Sequence, residues 1–60
     1  MVMEIQTILN ELYHVNPEDV NQVWRQLYDG SDRLKFRDGR KHVQLFVRSV
    51  VSIEYFEELK

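Results

Sequence analysis

Few side chains in this 60-residue chain belong to the types that catalyse reactions, and their spacing forms no recognisable constellation. His14 and His42 stand in different segments and do not form the closely spaced pair that a metal site needs. No serine lies in a G-x-S-x-G context. The sequence contains no cysteine, which excludes thiolate chemistry and cysteine metal sites.

The two glycines, Gly30 and Gly39, both stand at expected turns, so neither belongs to a phosphate-binding loop. A chain of this length also has little room for a substrate pocket of about 300 Å³ or more. We therefore expect no enzymatic activity, no cofactor, no metal and no small-molecule substrate.

Charge is the most informative chemical feature of the sequence. Residues 33–48 carry six Lys or Arg against the single acid Asp38, a net charge of +5, whereas residues 1–32 carry −5 and residues 49–60 carry −2. The basic segment reads RLKFR-DG-RKHVQLFVR. Two alternating runs around Asp-Gly predict a β-hairpin with Asp38-Gly39 as the central pair of a type I′ turn.

This turn predicts that Arg37 pairs with Arg40 and that Lys35 pairs with His42. Because side chains alternate along a strand, the hairpin divides into two faces. The core face consists of Leu34, Phe36, Val43, Leu45 and Val47. The opposite face, here called the basic face, consists of Arg33, Lys35, Arg37, Arg40, His42, Gln44, Phe46 and Arg48. Its candidate partner-binding residues are Arg33, Lys35, Arg37, Arg40, His42, Phe46 and Arg48.

Two helices are predicted before the hairpin. Residues 2–13 carry apolar residues at the three-four spacing of an amphipathic helix, namely Val2, Ile5, Ile8, Leu9 and Leu12. A second helix is predicted from Asn16-Pro17-Glu18-Asp19, with Asn16 as cap, Pro17 at the first helical position and Asp19 completing a capping box. It ends at Asp29-Gly30. Its apolar stripe is Val20, Val23, Trp24, Leu27 and Tyr28, and Trp24 is expected to anchor the core.

The last segment, residues 49–60, fits two structures. Ser52 as cap, with Ile53, Phe56 and Leu59 at helical spacing, favours a short helix, but Val51, Ile53 and Tyr55 also alternate as in a strand. We expect the helix, with a third antiparallel strand as the alternative. The expected fold is therefore a single compact α+β domain, residues 1–60, in the order helix-helix-β-hairpin-helix.

Small size and segregated charge favour a protein-interaction or regulatory accessory module. A chain this short buries only about 60% of its unfolded surface, and dimerisation is one common remedy, so self-association is included in this expectation. Phe46 among arginines has the composition of an interface. The alternative is nucleic-acid binding through the basic face, which a net charge of −2 and a single aromatic ring weaken. In a third interpretation, the basic residues only keep the exposed hairpin soluble and protect its strand edge from pairing with other chains.

No apolar run approaches the roughly 18 residues of a transmembrane helix, and the first residues lack a signal-peptide pattern. We expect a cytoplasmic protein that does not bind membranes.

Overall fold

Strands dominate a computed structural model of the chain, which describes residues 2–57. Within that range there are five strands and one α-helix: β1 Val2–Thr7, β2 Leu12–Val15, α1 Val20–Tyr28, β3 Arg33–Asp38, β4 Lys41–Phe46 and β5 Val50–Phe56. Short 3-10 turns span Pro17–Asp19 and Val47–Ser49. The strands form an antiparallel three-stranded sheet in the order β2-β1-β5 and a separate two-stranded sheet, β3-β4.

The predicted α+β order of helix, helix, hairpin and helix is therefore wrong. Residues 2–15 form a hairpin in place of the first helix, since Met3, Ile5 and Thr7 alternate into the interior. Ile8 and Leu9, which the helical pattern counted as buried, lie exposed in the connecting turn. The Thr7 hydroxyl accepts both the Leu9 and Glu11 backbone N–H groups and stabilises this turn.

The predicted C-terminal helix is also wrong over the described residues. Val50–Phe56 is a strand that pairs antiparallel with β1, so the strand alternative has the right conformation, but its partner is β1 and not the 33–46 hairpin. Ile53 and Tyr55 pack against the core, whereas Glu54 is exposed. The expected helical contact of Leu59 lies outside the described residues.

The hairpin of β3 and β4 is confirmed, with a different turn and register. Its central turn residues are Gly39-Arg40, and Gly39 has a φ of +62°, which fits a type II′ turn. Arg37 pairs with His42, and Lys35 pairs with Gln44. Each partner is displaced by two residues from the predicted one. Because strand side chains alternate with a period of two, the predicted core and basic faces survive this shift as far as Phe46. The predicted continuation of the strand through Val47 and Arg48 is wrong, since both residues lie in the 3-10 turn Val47–Ser49.

The helix expected after Asn16 is confirmed, and so is its end. Gly30 has a φ of +76°, its N–H donates to the Leu27 carbonyl, and the Ser31 N–H donates to the Gln26 carbonyl, as in a Schellman motif. The Asn16 side chain does not cap the helix.

Trp24 is not the predicted core anchor, since it remains 42% exposed. Val20 and Val23 are buried instead. Trp24 makes an edge-to-face contact with Tyr55 of β5 at 5.9 Å between ring centroids. This contact places α1 beside β5 as well as beside β3.

The hydrophobic core contains residues from both sheets and from α1: Met3, Ile5, Val15, Val20, Val23, Leu34, Phe36 and Val43. Over residues 2–57, no helix has the length and apolar character needed to cross a membrane.

A short segment before α1 joins the two sheets. The Asp19 carboxylate accepts three hydrogen bonds from Arg37: from the backbone N–H at 2.8 Å, from Nε at 3.0 Å and from Nη2 at 2.9 Å. The Asn16 backbone N–H donates to the Arg37 carbonyl at 2.9 Å. The Asn16 side-chain amide pairs with both backbone groups of Gly39, at 2.8 and 2.9 Å. These bonds hold the tip of the β3-β4 hairpin against the end of β2.

Asp19 should make folding sensitive to acid. Hydrogen bonds from the Arg37 side chain hold the Asp19 pKa below its ordinary value of 3.8, although burial acts in the opposite direction. Because the folded-state pKa is the lower one, this stabilisation is fully present above about pH 5 and is lost as the pH falls through 3.8 toward the folded value.

Asp19→Asn should therefore destabilise the chain by about 1–3 kcal/mol at pH 7. It should also flatten the loss of stability between pH 5 and pH 3. Urea unfolding at several pH values measures both effects. Glu18→Gln, at an exposed neighbouring acid, is the matched control and should change little. Equal acid sensitivity of the Asp19→Asn variant and the parent chain would contradict this role.

Candidate functional site

The outer edge of β3 is occupied. The Lys35 N–H donates to Oε1 of Gln26 at 2.9 Å. The Lys35 carbonyl accepts hydrogen bonds from Nε2 of Gln22 at 2.8 Å and from Nε2 of Gln26 at 3.0 Å. Farther along the strand, Asn16 and Asp19 bind the backbone of Arg37, as described above. Two glutamines of α1 and the segment before it thus take the place of a neighbouring strand.

The outer edge of β4 is open. Because Lys35 and Arg37 direct their backbone groups away from β4, their partners Gln44 and His42 direct theirs away from β3. Phe46, opposite Arg33, has the same orientation. Within residues 2–57 no strand pairs with this edge, and at its end the Phe46 carbonyl, which caps the 3-10 turn Val47–Ser49, accepts a hydrogen bond from the Ser49 hydroxyl at 2.7 Å. The side chains of His42, Gln44 and Phe46 are exposed.

At one end of the basic face, three predicted site residues meet. The guanidinium carbons of Arg33 and Arg48 lie 5.3 Å and 5.2 Å from the Phe46 ring centroid, both within cation–π range. The ring is 46% exposed. Phe46 therefore presents an apolar surface flanked by two positive charges at the end of the open edge.

The middle of the basic face contains Lys35, Arg37 and His42. Arg37 stands opposite His42 across the hairpin, and Lys35 lies two residues from Arg37 on the same face. The Arg37 side chain is held by Asp19 yet remains 43% exposed. A surface cavity of about 490 Å³ lies between these side chains and Gln22 of α1, so the expectation that so short a chain has little room for a cavity above about 300 Å³ is wrong. The remaining predicted residue, Arg40, is exposed in the turn at the far end of the hairpin.

Sequence reasoning missed the residues that distinguish the two edges. Gln22 and Gln26 stand four apart on α1, a spacing that places both on one side of a helix. That signal is weak, because the same spacing is common on solvent-facing helix surfaces. The sequence pattern indicates only a helix-capping role for Asp19, whereas its carboxylate binds Arg37.

The described residues contain no group of three or more His, Asp or Glu side chains placed to bind a metal ion. Over residues 2–57, fold and site together define a small β-rich structure with one α-helix, in which the two-stranded sheet has one covered edge, on β3, and one open, basic edge, on β4. Comparison of the chain with protein-family models, with curated proteins and with solved structures finds no significant match.

The contrast between the edges can be measured by amide hydrogen exchange. The Lys35 and Arg37 amides should be protected although β3 has no strand on that side, because the Lys35 N–H donates a hydrogen bond to Gln26 and the Arg37 N–H donates one to Asp19. The His42, Gln44 and Phe46 amides should exchange at least about 100-fold faster, because an amide without a hydrogen bond exchanges with solvent without any local opening of the structure.

Gln26→Ala should accelerate exchange at Lys35 and leave Arg37 protected, which tests the side-chain bond itself. Protection of the Gln44 amide in the free monomeric chain would show that the β4 edge is not open.

Proposed function

We propose that this protein is a non-enzymatic interaction module that binds an extended segment of a partner protein as an additional strand along β4. The open outer edge of β4 carries the proposal. Edge strands present unpaired backbone donors and acceptors, and strand addition uses them directly. On the other side of the same hairpin, side chains from α1 and residues 16–19 occupy the β3 edge, which leaves β4 as the accessible edge of this sheet.

The charge around the edge favours an acidic partner segment. Residues 33–48 carry +5, and Arg33, Lys35, Lys41 and Arg48 are all exposed. Complementary charge increases the rate of encounter and selects among partners, while backbone hydrogen bonds supply affinity without regard to sequence. An acidic segment satisfies both requirements.

A second copy of the chain is a poorer occupant of this edge. Pairing two β4 edges would bring two hairpins of charge +5 side by side, and like charges across a ladder destabilise it. Basic side chains on an edge strand are a known protection against such self-pairing. Edge protection and acidic-partner selection are thus compatible roles for the same residues.

Nucleic-acid binding is the other candidate for the basic face. Base stacking would have to use Phe46, the aromatic side chain on this face, and its ring already contacts two guanidinium groups. A base would need to displace one of them. The open backbone edge would also serve no purpose in phosphate binding, so the acidic peptide segment accounts for more of the structure.

Gln44→Pro tests strand addition, because proline removes an outward-facing N–H and leaves the β3-β4 ladder bonds intact. The probe is a pool of short random peptides of Glu, Val and Thr, titrated into isotope-labelled protein by NMR. In the parent chain, shift changes should concentrate at residues 41–46. Gln44→Pro should weaken binding at least about tenfold, the equivalent of about 1.4 kcal/mol.

Gln44→Ala keeps the backbone donor and is the matched control; it should bind within about twofold of the parent chain. Circular dichroism and the β3 amide shifts verify that both variants fold. Equal binding by the two variants would contradict strand addition. Short single-stranded RNA that binds with steep salt dependence while the peptides do not would favour nucleic acid. A dimer that Gln44→Pro dissociates in sedimentation would identify a second copy as the occupant.

A further inference from the structure

We infer that the segment accepted by β4 alternates acidic and apolar side chains, and that one acidic side chain lies over Arg37 and His42. This inference rests on the proposed strand addition and names the chemistry of the partner. It follows from the different surroundings of the two faces of β4.

The acidic positions follow from the basic face. In a β ladder, residues that stand opposite each other point their side chains to the same face. Partner residues opposite His42, Gln44 and Phe46 therefore lie on the basic face. Strands are about 4.8 Å apart, so these residues lie about 10 Å from the backbone of β3. The long side chains of Lys35 and Arg33 can span that distance toward a carboxylate.

The apolar positions follow from the other face. Partner residues opposite Val43 and Leu45 lie beside the rim of the core, where Val43 is 9% exposed and Leu45 is partly buried. An apolar side chain there removes its own surface and that of Leu45 from water. A charged side chain would be poorly solvated against the same rim. The partner segment should therefore alternate acidic side chains on the basic face with apolar side chains on the core face.

Of the basic side chains, Arg37 is held most rigidly in position to bind a carboxylate of the partner segment. Asp19 accepts Nε–H and one N–H of Nη2, and the guanidinium retains further donors. Because this ion pair already immobilises the side chain, a second carboxylate binds with less loss of rotamer entropy. The cavity of about 490 Å³ beside Arg37, Lys35 and His42 gives that carboxylate room.

Three synthetic peptides of equal length test the pattern by NMR titration. The first alternates Glu and Val, the second has the same composition with all Glu residues in one block, and the third alternates Gln and Val. The alternating Glu peptide should bind at least about tenfold more tightly than either of the others.

Lys35→Gln should weaken binding of the alternating Glu peptide by about fivefold, because it removes a charge from the basic face. Arg25→Gln removes the same charge from the exposed side of α1 and is the matched control, with a change below about twofold. A second protein variant, His42→Gln, avoids altering Arg37, whose ion pair supports the fold. It should also weaken the alternating peptide more than the blocked one.

The outcomes separate the inference from the proposed function. Equal affinity of the alternating and blocked peptides, with both lost in Gln44→Pro, would overturn the alternation and leave strand addition standing. Alternating-peptide binding that is unchanged in Gln44→Pro would overturn strand addition itself. Failure of all three peptides to bind would overturn both.

Discussion

The rest of the structure depends on the hydrogen bonds between residues 16–19 and the end of β3. A two-stranded ribbon is marginal in isolation and needs cover from the rest of a fold. Asp19 and Asn16 supply this connection, here called the joint: their hydrogen bonds to Arg37 and Gly39 attach the hairpin tip to the segment that follows β2. The Asp19 carboxylate is buried, and burial of a charge is costly without a partner. Arg37 meets that requirement, so the joint tolerates little rearrangement.

One consequence of this joint is that the hairpin has two unlike edges. The same segment and the first turns of α1 lie along β3, where Gln22, Gln26 and Asp19 bind its backbone. No equivalent cover reaches β4 within residues 2–57. The basic face continues across both strands, so the open edge and the strongest positive charge of the chain coincide. That coincidence is the physical basis of the proposed binding mode.

Predictability from sequence differed between elements for identifiable reasons. The 33–46 hairpin and α1 carry local signals, a turn pair and the Gly30 helix end, that no distant contact has to supply. Residues 2–13 and 50–56 carry apolar residues that fit both the helical and the strand period. For such segments, pairing between β1 and β5, which are far apart in the sequence, decides the conformation. Six of the seven predicted site residues lie on the 33–46 hairpin, and Arg48 lies in the 3-10 turn that follows it. The glutamines that define the site by covering the other edge of the hairpin carry no distinctive sequence signal.

By itself the sequence determined the two faces of the hairpin, the existence and C-terminal end of α1, and the concentration of positive charge between Arg33 and Arg48. Each of these depends on alternation, on a terminating glycine or on composition, which are local properties. Only the tertiary structure decided that the first and last described segments are strands, that Trp24 lies at the surface against Tyr55, and that β4 rather than β3 is the open edge of its sheet. These features depend on which backbone groups meet across long sequence separations, and residue types alone do not encode those pairings.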